Sequence, residues 1–489
     1  MLDAAASARR ACRRASRGPS RDRARAWRGV SALGQPRERF RAAAGRALED
    51  RHTQPALDAA TGRLRDARLA AWGLLPDVEE LRERGREIKQ RTIDDLDRYL
   101  DEFSRALEAR GGHVHFAATA GEAADTIRDI CRRGEARLVA KSKSMASEEI
   151  RLNEALERDG LRVVETDLGE YILQLAGEHP AHIIAPAIEK TAVEVAALLG
   201  AVDGSELRPE LEKLTATARR QLRAVFETAD VGVTGANFAV AETGSIVLVT
   251  NEGNGRLVSA LPRTHVVILG MERLVPTTRD LGVLLRLLAR SATGQKLTTY
   301  TTVLTGPRRP GEQDGPDELH VIVLDNGRSQ LRRGRYREML NCIRCGACLN
   351  VCPVYRKSGG DAYGPVYSGP MGAVLVPLLV GLEHAPSLPH ASSLCGACAE
   401  ACPVKIPLHE LLLDLRRDLV AERVAPFWER MAFRLWALAW STPLGYRLST
   451  AAARFGAPLA RRLPGPARAW ASQRTLPPLA RRRFRDRRR

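Results

Sequence analysis

Seven of the nine cysteines lie between residues 342 and 402, and this cluster constrains the fold more than any other feature of the sequence. Only Cys12 and Cys131 lie elsewhere. Cysteines concentrated in one region at C-x2-C spacing are typical of a metal site rather than of a disulfide framework. We therefore expect a metal-binding domain in a reducing compartment, the cytoplasm.

The first cysteine group has the spacing C-x2-C-x2-C-x3-C-P. It consists of Cys342, Cys345, Cys348 and Cys352, followed by Pro353. In ferredoxin motifs of this kind the first three thiolates bind one iron–sulfur cluster, whereas the fourth binds the other cluster. The motif therefore predicts a second cysteine group elsewhere in the chain.

The second group has the spacing C-x2-C-x3-C-P and consists of Cys395, Cys398 and Cys402, followed by Pro403. By the same rule, the cysteine before the proline returns to the first cluster. The predicted ligands of cluster 1 are Cys342, Cys345, Cys348 and Cys402. Those left for cluster 2 are Cys352, Cys395 and Cys398.

Cluster 2 has only three cysteines, and Ala401 is taken as the place where a further cysteine would stand. We expect two 4Fe-4S clusters, the second with a non-cysteine ligand or an external thiol; a 3Fe-4S cluster is the alternative. Zinc ribbons also use C-x2-C pairs, but an odd number of cysteines and the crossover prolines disfavour zinc.

The sequence upstream of the cysteines alternates between short β-branched runs and helical stretches. This alternation predicts a layered α/β domain with a largely parallel sheet. The expected strands are 113–117, 137–140, 162–164, 182–185, 231–234, 245–250, 265–270 and 320–324. The expected helices between them include 120–133, 147–158, 191–199 and 207–228.

Three polar loops follow strands of this domain, at residues 141–144, 235–245 and 250–256. Ligands of parallel sheets bind beyond the carboxyl ends of the strands, and glycine-rich loops can hold an anion through backbone N–H groups. A tight turn that needs positive φ explains each loop equally well. The sequence has no Walker A loop, no G-x-G-x-x-G, no H-E-x-x-H and no haem motif.

The predicted organisation has five parts. Residues 1–38 are an Arg-rich extension, expected to be disordered, and residues 39–110 are a helical lead-in. Residues 111–328 form the α/β domain, and residues 329–425 form a ferredoxin-like domain with two clusters. Residues 426–489 are a C-terminal helix and a basic tail; the helix carries three of the six tryptophans, as a packing face or as a contact with a membrane surface.

The net charge of +18 lies at the two ends of the chain. Residues 1–48 hold 13 Arg and 3 acidic residues, residues 451–489 hold 12 Arg and 1 acidic residue, and the middle is left at about −3. We therefore expect no nucleic-acid partner. No secretory signal and no apolar span of about 20 residues is present, which predicts a cytoplasmic protein with at most peripheral membrane contact.

The sequence resembles the lactate utilization protein B family, LUD-domain iron–sulfur proteins of bacterial L-lactate oxidation systems. The stretches that carry the resemblance are 141–145, 165–172, 250–258, 391–394, 404–409 and both cysteine groups. The resemblance covers roughly residues 40–450. It implies an α/β domain of the fold class shared with CoA transferases and sugar-phosphate isomerases, and it assigns the seven cysteines above as ligands of two 4Fe-4S clusters.

The resemblance also implies two companion proteins that oxidise L-lactate to pyruvate together with this chain. The leading hypothesis is an electron-transfer component that relays electrons through two clusters toward the respiratory chain, with no catalytic residue and with an unidentified acceptor. The alternative makes the α/β domain an acyl-CoA transferase or isomerase-type enzyme. In that case Glu242 or Glu252 is the expected carboxylate nucleophile.

Overall fold

The computed structural model describes residues 37–180, 182–364 and 366–460. They belong to two compact units, one ending at Asp418 and one beginning at Leu419. The predicted Arg-rich extension, apart from residues 37 and 38, and the basic tail beyond residue 460 lie outside the described residues. In the part of the chain that is described, no helix combines the length and apolarity needed to cross a membrane.

Ten strands form two sheets in the first unit. In chain order they are β1 His113–Ala117, β2 Leu138–Lys141, β3 Arg162–Glu165, β4 Val231–Gly235, β5 Phe238–Val240, β6 Ser245–Thr250, β7 Thr264–Gly270, β8 Leu274–Val275, β9 Tyr300–Leu304 and β10 Glu318–Leu324. The first sheet has the order β1-β10-β7-β4-β2-β3, with every pair parallel. The predicted parallel sheet is therefore confirmed.

The second sheet has the order β8-β5-β6-β9 and mixes parallel and antiparallel pairs. Of its four strands the sequence predicted only β6. β5 has three residues and β8 has two, which is too short for an alternating pattern to be read.

Twelve helices precede or surround the sheets: α1 Arg37–Glu49, α2 Thr53–Gly73, α3 Val78–Asp94, α4 Leu96–Glu108, α5 Ala120–Arg133, α6 Met145–Glu149, α7 Leu152–Glu157, α8 Leu168–Ala176, α9 Ala192–Asp203, α10 Leu211–Thr228, α11 Asn254–Ala260 and α12 Thr278–Ala292. The cysteine region adds α13 Arg328–Arg333, α14 Ala347–Asn350, α15 Tyr355–Ser358, α16 Gly369–Val380, α17 Ala397–Ala401 and α18 Leu408–Ala421.

The parallel sheet is buried on both faces, as parallel sheets of α/β proteins are. On one face, Ile268 of β7 packs with Ile127 of α5 and Leu156 of α7. On the other face, Leu269 of the same strand packs with Phe103 of α4. The alternation of neighbouring strand residues between two cores produces the predicted layered architecture.

The strand predicted at residues 182–185 is wrong. His182 Nδ1 accepts hydrogen bonds from the backbone N–H of Ile184, at 3.0 Å, and of Ala185, at 3.2 Å. These N–H groups are therefore not available to a sheet. His182 Nε2 lies 3.0 Å from Asn350 Oδ1, so the segment packs against the cysteine region instead.

The helices of the lead-in pack against the cysteine region. Asp58 of α2 forms ion pairs with Arg356, at 2.9 Å, and with Lys357, at 3.1 Å. Arg82 of α3 donates hydrogen bonds to the carbonyl oxygen of Cys402, at 2.9 and 3.2 Å. Helix α3 thus supports the second cysteine group, which lies more than 300 residues away in sequence.

The second unit contains α19 Phe427–Ser441 and α20 Pro443–Ala460, joined by a short turn. The rings of Trp440 and Tyr446 meet edge to face with centroids 5.2 Å apart. The predicted helix with three tryptophans is present, and Trp428, Trp436 and Trp440 are exposed.

Candidate functional site

The two cysteine groups adopt similar local structures. Gly346 and Gly396 have φ values of 75° and 84°, which glycine adopts without strain, and each precedes a short helix, α14 or α17. The helices carry Cys348 and Cys398, and each group ends at a Cys-Pro pair. The tight turns allow thiols that are close in sequence to face one centre.

The first cysteine set surrounds one small, mostly apolar space. Cys342, Cys345, Cys348 and Cys402 all line it. Its other walls include Ile183, Met371, Val404 and Ile406. Four thiols on one enclosed, apolar space fit an iron–sulfur cluster, because the protein must supply thiolates and keep water out.

Burial raises the pKa values of three thiols of this set. It raises the pKa of Cys402 to about 11, and it raises the pKa values of Cys345 and Cys348 further, with the neighbouring thiolates adding to the effect. Buried thiols of this kind stay protonated until a metal displaces the proton. Backbone N–H groups approach the sulfurs: Arg344 N lies 3.4 Å from Cys342 Sγ, and Ile406 N lies 3.3 Å from Cys402 Sγ.

The second cysteine set lies closer to the surface. Burial, and to a lesser extent the negative charges of the Cys352 and Cys395 thiolates, raise the pKa of Cys398 to about 12. The three thiols therefore lie near one another. Cys352 and Cys398 are buried, whereas Cys395 is exposed. The backbone N–H of Tyr355 lies 3.5 Å from Cys352 Sγ.

The expectation for Ala401 is wrong. Position 401 of the second group corresponds to Val351 of the first group, and neither carries a thiol. Counted back from Cys402 with the spacing of the first group, the missing cysteine falls at position 392, which is a serine. The sequence contained this signal, because the two groups differ by a constant shift of 50 positions.

Positive side chains surround the first set. Each of three arginines interacts electrostatically with one thiol of the set: Arg68 with Cys345, Arg82 with Cys402, and Arg344 with Cys342. All three arginines are buried. The sequence suggested none of them, although Arg344 lies between the first two cysteines of the motif.

A buried ion network joins the first cysteine group to the parallel sheet. Arg344 Nη2 lies 3.2 Å from a carboxylate oxygen of Glu272, whose other oxygen lies 2.7 Å from Arg328 Nε. Arg328 also pairs with Glu149 at 2.7 Å. Burial alone would raise the pKa of Glu272, but Arg328 and Arg344 outweigh it and lower the pKa to about 2.

A cavity of about 340 Å³ lies at the carboxyl edge of the parallel sheet. The segments that follow β2, β4 and β7 contribute Ser142, Asn237 and Arg273, respectively. Arg344 and Cys345 of the first cysteine group form another part of the wall. One predicted cluster ligand therefore faces both the thiol-lined space and the cavity.

The predicted polar loops at 141–144 and 250–256 line this cavity, and the loop at 235–245 lines it only with its first residues. Lys141 does not reach the cavity, because it is buried in ion pairs with Glu148 and Glu165, at 2.5 and 2.6 Å. Lys143 does line the cavity. In the loop 235–245, residues 235–237 line the cavity, but the turn that follows does not.

The two candidate nucleophiles occupy different places. Glu242 is not part of the cavity wall; its carboxylate accepts hydrogen bonds from the backbone N–H and the hydroxyl of Thr278, at 2.6 and 2.5 Å, and caps α12. Glu252 lines the cavity, where burial and the nearby Asp167 raise its pKa. Arg273 lines the cavity as well, and its Nη1 has no hydrogen-bond partner among the described residues.

Family models match most of the chain. The LUD domain model matches residues 100–324, the 4Fe-4S dicluster domain model matches residues 338–406, and the model of the C-terminal region of lactate utilisation protein B matches residues 421–489. The dicluster match supports two 4Fe-4S clusters in the cysteine region.

Curated relatives match nearly the full chain. The lactate utilization protein B of Bacillus velezensis is 47% identical over 459 residues, which cover 91% of this chain and 96% of that protein. The protein of the same name from Shouchella clausii is 48% identical over 446 residues, which cover 90% and 94%. A crystal structure of a DUF162 family protein from Deinococcus radiodurans is 18% identical and covers 47% of this chain and 98% of that chain, with a TM-score of 0.27.

Proposed function

This chain belongs to the lactate utilization protein B family, and on that premise we propose that it is the electron-transfer component of an L-lactate oxidation system. Cys342, Cys345, Cys348 and Cys402 hold cluster 1, and Cys352, Cys395 and Cys398 contribute to cluster 2. Electrons pass through both sites toward the respiratory chain. Companion lactate-utilization proteins oxidise the substrate in the cytoplasm.

The observation that carries this proposal is the position of the first cysteine set. Cys345 lines the cavity of the α/β domain as well as the thiol-lined space. At the other end, Cys395 of the second set is exposed. The first set thus adjoins the cavity and the second set reaches the surface, which suits exchange of single electrons with a partner protein.

When bound, a 4Fe-4S cluster supplies one-electron redox chemistry. The residues of this chain bind it and set its surroundings. The thiols supply negative ligands, and the N–H groups of Arg344 and Ile406 lie against two of the sulfurs. Arg68, Arg82 and Arg344 place positive charge near the first set, and Ile183, Val404 and Ile406 exclude water.

Cys345→Ala tests the proposal in a strain that grows on L-lactate. We expect loss of growth on lactate and loss of iron from the purified full-length chain, with growth on glucose unchanged. Cys131→Ala is the matched control, because Cys131 is a buried core residue of α5 and belongs to neither set. Unchanged growth on lactate with Cys345→Ala contradicts the proposal.

A second experiment separates electron transfer from lactate oxidation. The purified, reconstituted chain is mixed anaerobically with L-lactate, alone and with the companion proteins, and the visible absorbance of the clusters is followed. We expect bleaching only when the companions are present. Bleaching by lactate with this chain alone would assign substrate oxidation to the chain itself.

Acyl-CoA transfer in the α/β domain is a second candidate function, supported by Glu252 in the cavity wall. The unpartnered Nη1 of Arg273 favours an anionic ligand in the same cavity. For this function, Glu252→Gln abolishes CoA transfer from an acyl-CoA to a carboxylic acid. The control Glu242→Gln leaves it intact, because Glu242 caps α12. No transfer by the unmodified chain rules this function out.

A further inference from the structure

The two cysteine groups repeat one backbone conformation with a shift of 50 residues. Arg344 and Leu394 both have positive φ, 59° and 56°, which is uncommon for residues other than glycine. Two residues later in each group, Gly346 and Gly396 also have positive φ values, 75° and 84°. The two groups therefore share the backbone conformation of the turn as well as the spacing of the cysteines.

Position 392 is the counterpart of Cys342 in this repeat, and it is occupied by Ser392. Arg344 N donates to Cys342 Sγ at 3.4 Å, two residues back. Leu394 N donates to Ser392 Oγ at 3.1 Å, also two residues back. The serine oxygen thus occupies the place in its turn that the first thiol occupies in the other turn.

Two neighbours hold Ser392 near the second cysteine set. The hydroxyl of Tyr363 donates to the carbonyl oxygen of Ala391 at 3.2 Å, and the same side chain lies close enough to Cys352 to affect the pKa of its thiol. Arg416 Nη2 donates to the carbonyl oxygen of Ser392 at 2.8 Å. The segment that carries the serine is therefore fixed beside Cys352, on the same turn as Cys395.

We propose that Ser392 Oγ is the fourth ligand of cluster 2, completing the set of Cys352, Cys395 and Cys398. This inference rests on the proposed function, because it requires that the cysteines bind iron. On binding, the Oγ–H bond breaks, an Fe–O bond forms and the proton passes to solvent, with no change in the number of electrons. One iron then has a hard oxygen ligand, while the others have sulfur.

The experiment uses the full-length chain, reconstituted anaerobically with 57Fe and sulfide. Ser392→Ala removes the oxygen, Ser392→Cys restores the full C-x2-C-x2-C-x3-C-P motif, and Ser393→Ala is the matched control on an exposed neighbouring serine. Iron content, Mössbauer spectra and EPR spectra after mild oxidation are measured on all four proteins. Circular dichroism checks that each protein is folded.

For the unmodified chain and Ser393→Ala we expect about eight iron atoms, one of them with a distinct Mössbauer signal. Ser392→Ala should lose about one iron on mild oxidation and show the EPR signal of a three-iron cluster. Ser392→Cys should keep all its iron and lose the distinct signal, because four sulfurs then surround the cluster.

The inference is overturned if Ser392→Ala behaves like the unmodified chain, or if Ser392→Cys leaves the distinct iron signal in place. It is also overturned if cluster 2 of the unmodified chain already contains three irons. Failure of the proposed function gives a different result: growth on L-lactate then survives Cys345→Ala, or lactate bleaches the clusters of this chain alone, and neither outcome changes the iron content or the spectra of the Ser392 variants.

Discussion

Arg344 Nη2 lies 3.2 Å from Glu272 Oε1, and this ion pair joins the first cysteine group to the end of a central strand of the sheet. The Arg344 side chain is 6% exposed and the Glu272 side chain 2%, so water contributes little to the stability of either charge. Arg328 uses the second oxygen of the same carboxylate. Glu272 therefore holds two buried cations, Arg328 and Arg344.

Glu272→Gln should destabilise the protein by about 3 kcal/mol, because it leaves two buried guanidinium groups without their shared carboxylate. The thermal unfolding midpoint of the cluster-loaded protein, followed by circular dichroism and by visible absorbance, should fall by several degrees. Glu227→Gln is the control, since its partner Arg223 is 72% exposed, and it should have little effect. Equal midpoints for the two variants would contradict the structural role of Glu272.

Arg82→Gln should lower the reduction potential of cluster 1. Arg82 is buried, lies against the carbonyl oxygen of Cys402 and places a positive charge near that thiolate. Removing one nearby positive charge makes the reduced cluster less stable, and the reduction potential should fall by on the order of tens of mV. A redox titration followed by EPR measures it, with exposed Arg223→Gln as the control. A shift confined to the potential of cluster 2 would contradict the assignment of Arg82 to cluster 1.

The sequence predicted the parallel sheet because short β-branched runs, such as the one in β7, alternate with helical stretches along the chain. It also predicted the two cysteine groups, because their spacing is local. The helix expected at 147–158 is interrupted in the structure, where Arg151 has a φ of 54° and separates α6 from α7. Hydrophobic periodicity is the same on both sides of such a break and does not reveal it.

The cavity was only partly predictable. The loops after β2 and β4 could be identified because each follows a clear apolar run. Arg82 and Arg344 could not be assigned a role, because their partners Cys402 and Glu272 are 320 and 72 residues away. Local sequence contains no information on such pairs; they exist only because segments far apart in the sequence pack together.

The crossed ligand sets predict which cysteine variants resemble one another. Cys402→Ala should give the same EPR and Mössbauer spectra as Cys345→Ala, although the two positions belong to different sequence groups, because both line the first thiol-lined space. Cys352→Ala should resemble Cys395→Ala. If Cys402→Ala instead resembles Cys395→Ala, each sequence group binds its own cluster and the crossing is wrong.

Gly232→Ala should disrupt the parallel sheet. A Cβ at this position in β4 would lie 1.9 Å from the carbonyl oxygen of Val258 in α11, so the helix has to move away from the strand. Gly282→Ala is the matched control, because a Cβ there meets nothing within 4 Å, and it should stabilise α12 by about 0.5–1 kcal/mol. Thermal unfolding midpoints compare the two, and an unchanged midpoint for Gly232→Ala contradicts the close packing of α11 on β4.

His265 should make the stability depend on pH below neutrality. Burial in β7 lowers its pKa from 6.5 to about 3, and Nε2 lies 2.9 Å from Thr234 Oγ1. The unfolded chain therefore takes up a proton below pH 6.5 that the folded chain does not accept until about pH 3. The contribution of His265 is fully present above pH 6.5 and is lost as the pH falls toward 3.

His265→Gln should reduce this loss, because the amide can still bond to Thr234 and does not titrate. We expect the free energy of unfolding of the variant, measured by urea denaturation at several pH values from 4 to 7, to fall less steeply with decreasing pH than that of the unmodified chain. His384→Gln, at a side chain that is 58% exposed, is the control and should keep the original slope. The same slope for His265→Gln and the unmodified chain would show that His265 is able to take up its proton in the folded state.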